Sequence, residues 1–393
     1  MMHVTYLIPT IDSIGGAERQ LMLLAIGMAH RGWRVTVIAL RGNGGQAAQV
    51  LSIANVSFLS LEMRNGLLDP RGWIRLRRWI KSAKPDILHA HLAQAALLAR
   101  CVRLLAPYRG LVDTIHSPAT GSVRRQLAYR LTSSLTDMVT TVSRTCAEPW
   151  LRVRAIRPSE LLIIPNGIDS AKWRAASDHD GKADSFSRAP AEFQWIAVGR
   201  LDPVKDYATL LQAFSMLPRS AHLAIAGAGP LENDLRLQAE DLHIQDRVAF
   251  LGFQEDVRHL LQNSDGFVLC SRWEGLPIAL MEASACELPA VFTETSGARE
   301  LFPSSNFPKV PVGDSAALAK AMRSLMDLPK YELRKVGRAA RQHIVNNFDQ
   351  RLVLTRLENL YSQLLSTSYY PSRLRSKTGP GRDSAVCSSN TTS

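Results

Sequence analysis

Short apolar runs alternate with amphipathic stretches along the chain, and the whole pattern occurs twice. In the first half, apolar runs predict strands at 4–9, 34–40, 86–89, 111–115 and 138–142, with helices at about 16–30, 71–83, 92–105 and 122–134. In the second half, strands are predicted at 194–198, 223–226, 248–251, 267–270 and 290–293, with helices at about 206–217, 231–242, 256–263 and 276–286. This alternation predicts parallel sheets that are covered by helices on both faces.

A chain of 393 residues is long enough for two domains. We therefore predict an α/β protein with two doubly wound parallel-sheet domains that face each other across a cleft. The first domain is expected at 1–170 and the second at 171–349, with the polar stretch 171–192 as the connection. An amphipathic helix at about 350–367 could pack back on the first domain, and the tail 377–393, rich in Gly, Ser and Thr, is expected to be disordered.

The net charge of +12 is concentrated in the first half of the chain. Residues 1–170 contain 21 Lys/Arg against 10 Asp/Glu, whereas the remainder contains 26 against 25. The densest basic segment, WIRLRRWIK at 73–81, has the pattern of an amphipathic helix on an anionic membrane surface. It could equally be a helix with its tryptophans in the core and its arginines in solvent. The charge asymmetry favours the membrane interpretation, and the lack of a binding motif argues against nucleic acid.

Several absences bear on the compartment. The N-terminus lacks the pattern of a signal peptide, and no run of about eighteen apolar residues predicts a spanning helix. The five cysteines are scattered, odd in number and without metal-ligand spacing: Cys101, Cys146, Cys270, Cys286 and Cys387. We therefore expect a cytoplasmic protein, peripheral on the inner face of the membrane.

Two carboxylates, Glu274 and Glu282, stand out because a predicted strand ends just before the first and a predicted helix carries the second. Gly275 is expected to let the backbone turn into the helix. The N–H groups at a helix start could bind a diphosphate, while carboxylates accept hydrogen bonds from sugar or ribose hydroxyls. Alternatively, the segment is an ordinary strand, turn and helix.

Other candidate residues lie where predicted parallel strands end, which is where open sheets bind ligands. Gly15 and Gly16 could let backbone amides approach a phosphate, although the motif is not the G-x-G-x-x-G of a dehydrogenase. Gly227 and Gly229 would leave room for a base or ribose. Arg200 and Lys205 could neutralise a diphosphate from two sides and stabilise its departure, unless they are solvated loop cations.

Three histidines follow neighbouring strands of the first domain. His116 could donate a hydrogen bond to a sugar or stabilise developing charge. His89 and His91 share one face of a strand, so a metal pair is conceivable. Because no third ligand is evident, we favour polar lining of the cleft and predict no metal site.

These motifs, taken in order, resemble the retaining glycosyltransferases of family 4 (group 1), which have the GT-B architecture of two Rossmann-like domains. The matching motifs are GGAER at 15–19, TIHS at 114–117, IPNGID at 164–169, VGRLDPVKD at 198–206, AGAGP at 226–230 and SRWEGLPIALMEA at 271–283. The resemblance extends over about 3–365. It departs from the family at Glu287, where glycine is usual, and this puts the local turn in doubt.

The resemblance implies roles for individual residues. Gly16, Arg200 and Lys205 would hold the donor diphosphate, Glu274 the transferred sugar and Glu282 the ribose, with His116 near the anomeric carbon. We predict His116, Glu274, Arg200 and Lys205 as the catalytic residues. The predicted donor-binding residues are Gly15, Gly16, Gly227, Gly229, Gly275, Leu276 and Glu282. The resemblance also implies front-face attack with the leaving phosphate as base, without a required metal.

The predicted function is a retaining hexosyltransferase that moves a sugar from a nucleotide-sugar donor, a UDP-sugar by resemblance, to a lipid-linked or cell-surface polysaccharide acceptor. No cofactor is expected beyond the donor. One alternative is a GT-B-fold sugar-nucleotide epimerase, against which the glutamate pair and VGRLDPVKD favour transfer. Another is an inactive, membrane-associated assembly partner, against which the intact set of site residues argues.

Overall fold

The computed structural model of the protein describes residues 1–12, 15–64, 66–176, 192–303 and 309–366. Most of the predicted connection at 171–192 and the whole predicted disordered tail lie outside this part of the chain. In the part described, the chain forms two parallel sheets with helices on both faces. The predicted fold class is thereby confirmed.

The first sheet contains seven described strands in the order β3-β2-β1-β4-β5-β6-β7. Their bounds are His3–Ile8 (β1), Arg34–Ala39 (β2), Ser57–Ser60 (β3), Ile87–His91 (β4), Gly110–Ile115 (β5), Met138–Thr141 (β6) and Leu161–Ile163 (β7). The central strands are buried on both faces. Polar residues within them, such as His89 and Asp113, have buried side-chain partners. Neighbouring strands pair in parallel, so their C-terminal ends lie along one edge.

The second sheet contains six described strands in the order β10-β9-β8-β11-β12-β13. Their bounds are Phe193–Val198 (β8), Ala221–Ala226 (β9), Val248–Gly252 (β10), Gly266–Leu269 (β11), Ala290–Thr293 (β12) and Lys309–Val310 (β13). In both sheets the strand order reverses direction beside the first strand of the domain. Such a switch point is where open sheets bind ligands.

Helices cover both faces of each sheet. In the first domain they are Gly16–His30 (α1), Gly45–Ile53 (α2), Pro70–Ala83 (α3), Ala93–Arg103 (α4), Val123–Leu131 (α5) and Arg144–Arg152 (α6). In the second they are Tyr207–Ser215 (α7), Glu232–Asp241 (α8), Arg258–Gln262 (α9), Ile278–Ala285 (α10), Ser296–Leu301 (α11), Ser315–Met326 (α12) and Lys330–Phe348 (α13). The last helix is Gln350–Ser366 (α14).

A different group of helices covers each face of the first sheet. On one face of its sheet, α1, α2 and α14 enclose a core that includes Tyr6, Met28 and Tyr361. On the other face, the core involves α3, α4, α5 and α6. The last helix therefore belongs to the first domain by its packing, although the second domain precedes it in the chain.

The chain crosses between the domains at two adjacent segments. Ile168 pairs with Asp349 in an isolated parallel bridge, with the Ile168 N–H donating to Phe348 O at 2.9 Å and the Gln350 N–H donating to Ile168 O at 2.8 Å. Because the two crossings are bonded side by side, they form one compact connection between the domains.

The basic segment at 73–81 forms part of α3, and both of its tryptophans pack against the core beneath it. The indole N–H of Trp73 donates to Leu67 O at 2.8 Å, and Trp79 lies edge-on to His3 with ring centroids 5.8 Å apart. For this helix the structure therefore favours the interpretation with tryptophans in the core. No helix within the described ranges has the length and apolar content needed to cross a membrane.

Candidate functional site

The C-terminal edges of the two sheets come together around Gly275 and His116. A Cβ atom placed on Gly275 would lie 2.8 Å from both His116 O and Cys146 Sγ, which are atoms of the first domain. The Ser143 hydroxyl also donates to Gly275 O at 2.7 Å. Only glycine permits so close an approach of two backbones.

This contact corrects the expectation that Gly275 serves as the turn into a helix. Helix α10 begins at Ile278 with Pro277 as its N-cap residue, so Gly275 lies three residues before it. Glu274 is accordingly a loop residue, while Glu282 lies within the helix. Leu276, predicted to bind the donor, packs its side chain in the core of the second domain.

Glu274 belongs to a charged group at the C-terminal end of β11. Its Oε1 lies 2.6 Å from Lys205 Nζ and accepts a hydrogen bond from the Ser271 hydroxyl at 2.6 Å. Both side chains of the ion pair are largely, although not fully, shielded from solvent. Two predicted site residues from separate loops are thus brought together.

Glu282 is buried, and its partner comes from the other domain. Arg19 of α1 donates to Glu282 Oε1 at 3.3 Å. Burial raises the pKa of Glu282 from its usual 4.5 to about 7, although the nearby Arg19 guanidinium opposes the shift. Arg19 is part of the GGAER motif, but sequence reasoning assigned it no role. Nothing in the sequence indicated the pairing, which depends on how the domains close.

Arg200 lies apart from the Lys205–Glu274 pair. Its guanidinium contacts Asp202 of its own loop at 2.6 Å, and its side chain is 75% exposed. Asp202 also accepts from the backbone N–H groups of Val204 and Lys205 at 3.1 and 3.3 Å. The carboxylate therefore fixes the loop shape and at the same time holds the Arg200 side chain at the surface of the loop.

Two of the predicted donor-binding glycines, Gly227 and Gly229, are required by close packing of backbone. A Cβ atom on Gly227 would lie 1.9 Å from Gly199 O, and one on Gly229 would lie 2.3 Å from Leu201 O. These two glycines join the loops after β8 and β9. Gly15 donates its N–H to Glu18 Oε2 at 3.1 Å, and Gly16 opens α1, where a Cβ would lie 3.2 Å from Ile278 of the second domain.

The three histidines form a row in which His89 and His91 are buried and His116 is half-buried at the cleft. His116 Nε2 and His91 Nδ1 are 2.9 Å apart, and the two rings are stacked with centroids 5.1 Å apart. His89 contacts Tyr361 Oη and Thr114 Oγ1, each at 2.6 Å. Burial lowers the pKa of His116 to about 4 and that of His89 to about 3, so these rings are neutral near pH 7.

The histidine row lines a cavity of about 20 Å³, which is room for a water molecule but not for a sugar. Gln20, Asn166 and Thr140 also line it. Both nitrogens of His89 are engaged with first-domain side chains, so this histidine lies behind the cleft surface. Among the residues described, no group of His, Cys, Asp and Glu has the arrangement of a metal site.

A second carboxylate from the second domain holds the N-terminus of α6. Glu300 accepts from the Arg144 N–H at 2.7 Å and the Thr145 N–H at 2.5 Å. These are the free N–H groups of a helix start, where a carboxylate is electrostatically favoured. Sequence reasoning missed this interdomain contact, because a glutamate on a short helix carries no signal of its partner.

The departure from the family pattern at Glu287 has a conformational counterpart. Glu287 has φ of +61°, in the left-handed region that favours glycine. The turn after α10 therefore forms with its expected backbone shape, despite the side chain. A Cβ on Gly337 of α13 would lie 1.9 Å from Glu287 O, so α13 packs tightly beneath this turn.

Two family models match the chain, one for each domain. The model described as Glycosyltransferase Family 4 matches residues 14–172, and that described as Glycosyl transferases group 1 matches residues 182–343. The chain belongs to the group 1, family 4 glycosyltransferases. The resemblance inferred from the motifs is thereby confirmed.

Known proteins similar to this glycosyltransferase agree with that assignment. The UDP-Gal:alpha-D-GlcNAc-diphosphoundecaprenol alpha-1,3-galactosyltransferase of Escherichia coli is 30% identical over 244 residues, which cover 58% of this chain and 63% of that protein. The chain thus spans less than two thirds of that relative's length. The lipopolysaccharide core biosynthesis glycosyltransferase LpsE of Rhizobium meliloti is 25% identical over 358 residues, covering 90% of this chain and 96% of LpsE.

Similarity to solved structures supports the GT-B fold. The crystal structure of Anabaena Alr3699/HepE in complex with UDP and glucose superimposes with a TM-score of 0.77. It covers 92% of this glycosyltransferase and 100% of HepE, at 20% sequence identity. At that identity the likeness concerns the fold alone.

Proposed function

We propose that this glycosyltransferase is a retaining hexosyltransferase that uses a UDP-sugar and acts on a lipid-linked acceptor in the assembly of a cell-surface polysaccharide. The observation that carries the proposal is the pairing of Lys205 with Glu274 at the domain junction, next to the buried Glu282. The names of the E. coli and R. meliloti relatives, and the UDP in the HepE structure, support the donor and acceptor classes.

In the proposed complex, Lys205 turns toward the donor diphosphate while Glu274 accepts hydrogen bonds from the sugar hydroxyls. The ammonium and the carboxylate are 2.6 Å apart in the free protein, so each holds the other in place. Arg200 would approach the diphosphate from the exposed side of its loop. Fixed cations beside the leaving diphosphate stabilise the negative charge that develops as the glycosidic bond breaks.

Glu282 would receive the ribose hydroxyls of the donor. In the free structure its carboxylate already has Arg19 on one side, and one arginine cannot satisfy all of its acceptor positions. Hydroxyl donors would stabilise the charged form of a carboxyl group that burial has made easier to protonate. Donor binding and deprotonation of Glu282 would therefore be coupled.

His116 would donate a hydrogen bond to the transferred sugar, and His91 would set its tautomer. His91 Nε2 is buried and has no described partner. A buried nitrogen that keeps a proton without an acceptor is costly, so we place the His91 proton on Nδ1, where it is donated to His116 Nε2. The remaining proton of His116 is then on Nδ1 and available to a ligand.

The proposed reaction retains the anomeric configuration through front-face attack. The bond from the anomeric carbon to the diphosphate oxygen breaks as the acceptor oxygen bonds to the same carbon, and the acceptor proton passes to the departing phosphate. Glu274 is bound to Lys205 and Ser271, which suits a hydroxyl-binding role and leaves no protein nucleophile in the scheme. We further propose that no metal is needed, because Lys205 and Arg200 supply the positive charge.

The proposal is tested by screening nucleotide sugars for thermal stabilisation and transfer, and then determining the anomeric configuration of the product by NMR. We expect a UDP-sugar to stabilise the protein, transfer to proceed in EDTA, and the product to keep the donor's configuration. An inverted product would contradict the mechanism. Release of an epimer without any acceptor would instead support a sugar-nucleotide epimerase.

A further inference from the structure

Helix α5 exposes a row of large apolar side chains to solvent. Val123, Leu127 and Leu131 are 77%, 53% and 72% exposed, and they recur every four residues along the helix. Residues with this spacing lie on one side of a helix. Tyr129 is the residue that buries its side chain in the core beneath α5. Single exposed apolar residues are common, but a row of them along one helix indicates a contact surface.

The charge around this row is strongly positive. Arg124, Arg125 and Arg130 are exposed on α5 itself, which has no acidic residue. Residues 70–136 contain 12 Lys/Arg against 2 Asp/Glu. Both acidic residues are engaged by arginines, because Asp113 is buried against Arg100 and Asp86 lies 3.4 Å from Arg109.

The neighbouring helices extend the same surface. Ile74 on α3 and Leu104 and Leu105 after α4 are also exposed, and Arg77 joins the two segments by donating to Leu105 O at 3.2 Å. All these helices cover the same face of the first sheet. The tryptophans of α3 point into the core, so the outward apolar groups of this layer are aliphatic.

We propose that α5, through Val123, Leu127, Leu131 and its arginines, docks this glycosyltransferase on an anionic lipid surface. Aliphatic side chains would enter the boundary between headgroups and acyl chains, while the guanidinium groups meet lipid phosphates. Charge complementarity selects this occupant, because a second copy would bring two strongly positive surfaces together. A nucleic acid would contact the arginines through its phosphates but would leave the aliphatic row without an apolar partner.

The position of α5 links docking to the cleft. Six residues separate His116 from Val123, so the extended chain spans at most about 25 Å between them. A docked α5 would therefore hold the candidate sugar site within about that distance of the bilayer, where a lipid-linked acceptor presents its headgroup. This functional consequence rests on the acceptor class proposed above, but the docking itself does not.

The test is co-sedimentation of the full chain with vesicles of phosphatidylcholine alone or with phosphatidylglycerol. We expect binding to the anionic vesicles, weakened by salt, and about tenfold or greater loss in the variant V123S/L127S/L131S. The variant R124Q/R130Q should lose several-fold. The matched controls are M216S/L237S/Y331S and R323Q/R334Q, which change exposed residues of the second domain, and they should bind as the wild type does.

Thermal stabilisation by UDP separates this proposal from the proposed function. The α5 variants should keep it, because these residues lie outside the donor site. The proposal would be overturned if the wild-type protein co-sediments with neither vesicle type, or if the α5 triple variant co-sediments with the anionic vesicles as the wild type does. A dimer in solution that the triple variant converts to a monomer would also overturn it, because it would assign the row to self-association.

Discussion

Glu274 and Glu282 come from one short motif, yet the fold places them in different environments. Glu274 is a loop residue that pairs with Lys205 and Ser271 of its own domain. Glu282 is buried in α10, pairs with Arg19 of the other domain and has its pKa raised to about 7 by burial. The spacing in sequence is uninformative about this difference. Glu274 is organised within one domain, whereas the environment of Glu282 depends on closure of the two domains.

Loss of Lys205 should have the largest effect. In Lys205→Ala, we expect turnover to fall about 10²–10³-fold, because a fixed charge aimed at the leaving group is lost and Glu274 loses its partner. Steady-state kinetics with the best donor measures this. The matched control is Lys320→Ala, which removes an exposed lysine of α12 and should leave turnover unchanged. Near-normal turnover in the Lys205 variant would contradict the role of this pair.

Glu274→Gln should lower kcat by about tenfold to a hundredfold, since one charge-assisted hydrogen bond to the sugar is lost. The melting temperature should change little, because the residue sits in a loop at the cleft and not in a hydrophobic core. Differential scanning fluorimetry and kinetics on the same preparation test both points. A strongly lowered melting temperature would show that Glu274 is structural.

The pH dependence should separate the two glutamates. As the pH falls below about 7, Glu282 takes up a proton and the donor KM should rise, and Glu282→Gln should remove this dependence. The same shift affects stability. The folded state binds the Glu282 proton more tightly than the unfolded state does. Protonation of Glu282 therefore adds to the free energy of unfolding, fully below about pH 4.5, and this contribution is lost as the pH rises to about 7. If the pH profile of the donor KM is the same in Glu282→Gln as in the wild type, Glu282 is not the titrating group.

Arg19→Ala should have a smaller effect, and it should change the pH dependence of the donor KM. Removing the cation leaves Glu282 buried without its ionic partner, so its pKa should rise further and the pH at which the donor KM increases should move upward. At pH 8 we expect KM to increase only a few-fold. Arg41→Ala, at an exposed site of the first domain, provides the control.

The smallest expected effect on activity is that of His91→Gln, which tests whether His91 positions His116. We expect kcat to fall several-fold with donor KM nearly constant, because His91 acts through the orientation and tautomer of another residue. His91→Asn, which can place its amide closer to the position of Nδ1, should recover part of the loss. An equal loss in both variants together with a lowered melting temperature would indicate a purely structural role.

The alternation of apolar runs was sufficient to predict both sheets, because strands buried on two faces are rich in apolar residues. It missed β3, β7 and β13, which are short or partly exposed, and it also missed the helices α2, α6, α11, α12 and α13. Lys205 and Glu274 were identified from their positions after strands. Arg19–Glu282 and Glu300–α6 could not be predicted, since each depends on the approach of two domains.

Calorimetric titration of UDP and of the UDP-sugar into the wild type, Glu274→Gln and Glu282→Gln tests directly whether the two glutamates bind separate parts of the donor. We expect Glu282→Gln to weaken the binding of UDP and of the UDP-sugar alike, by about tenfold or more, because both ligands carry the ribose. Glu274→Gln should weaken the UDP-sugar and leave UDP binding unchanged. Equal losses for UDP in both variants, or none in Glu282→Gln, would contradict the assignment of the two glutamates to separate parts of the donor.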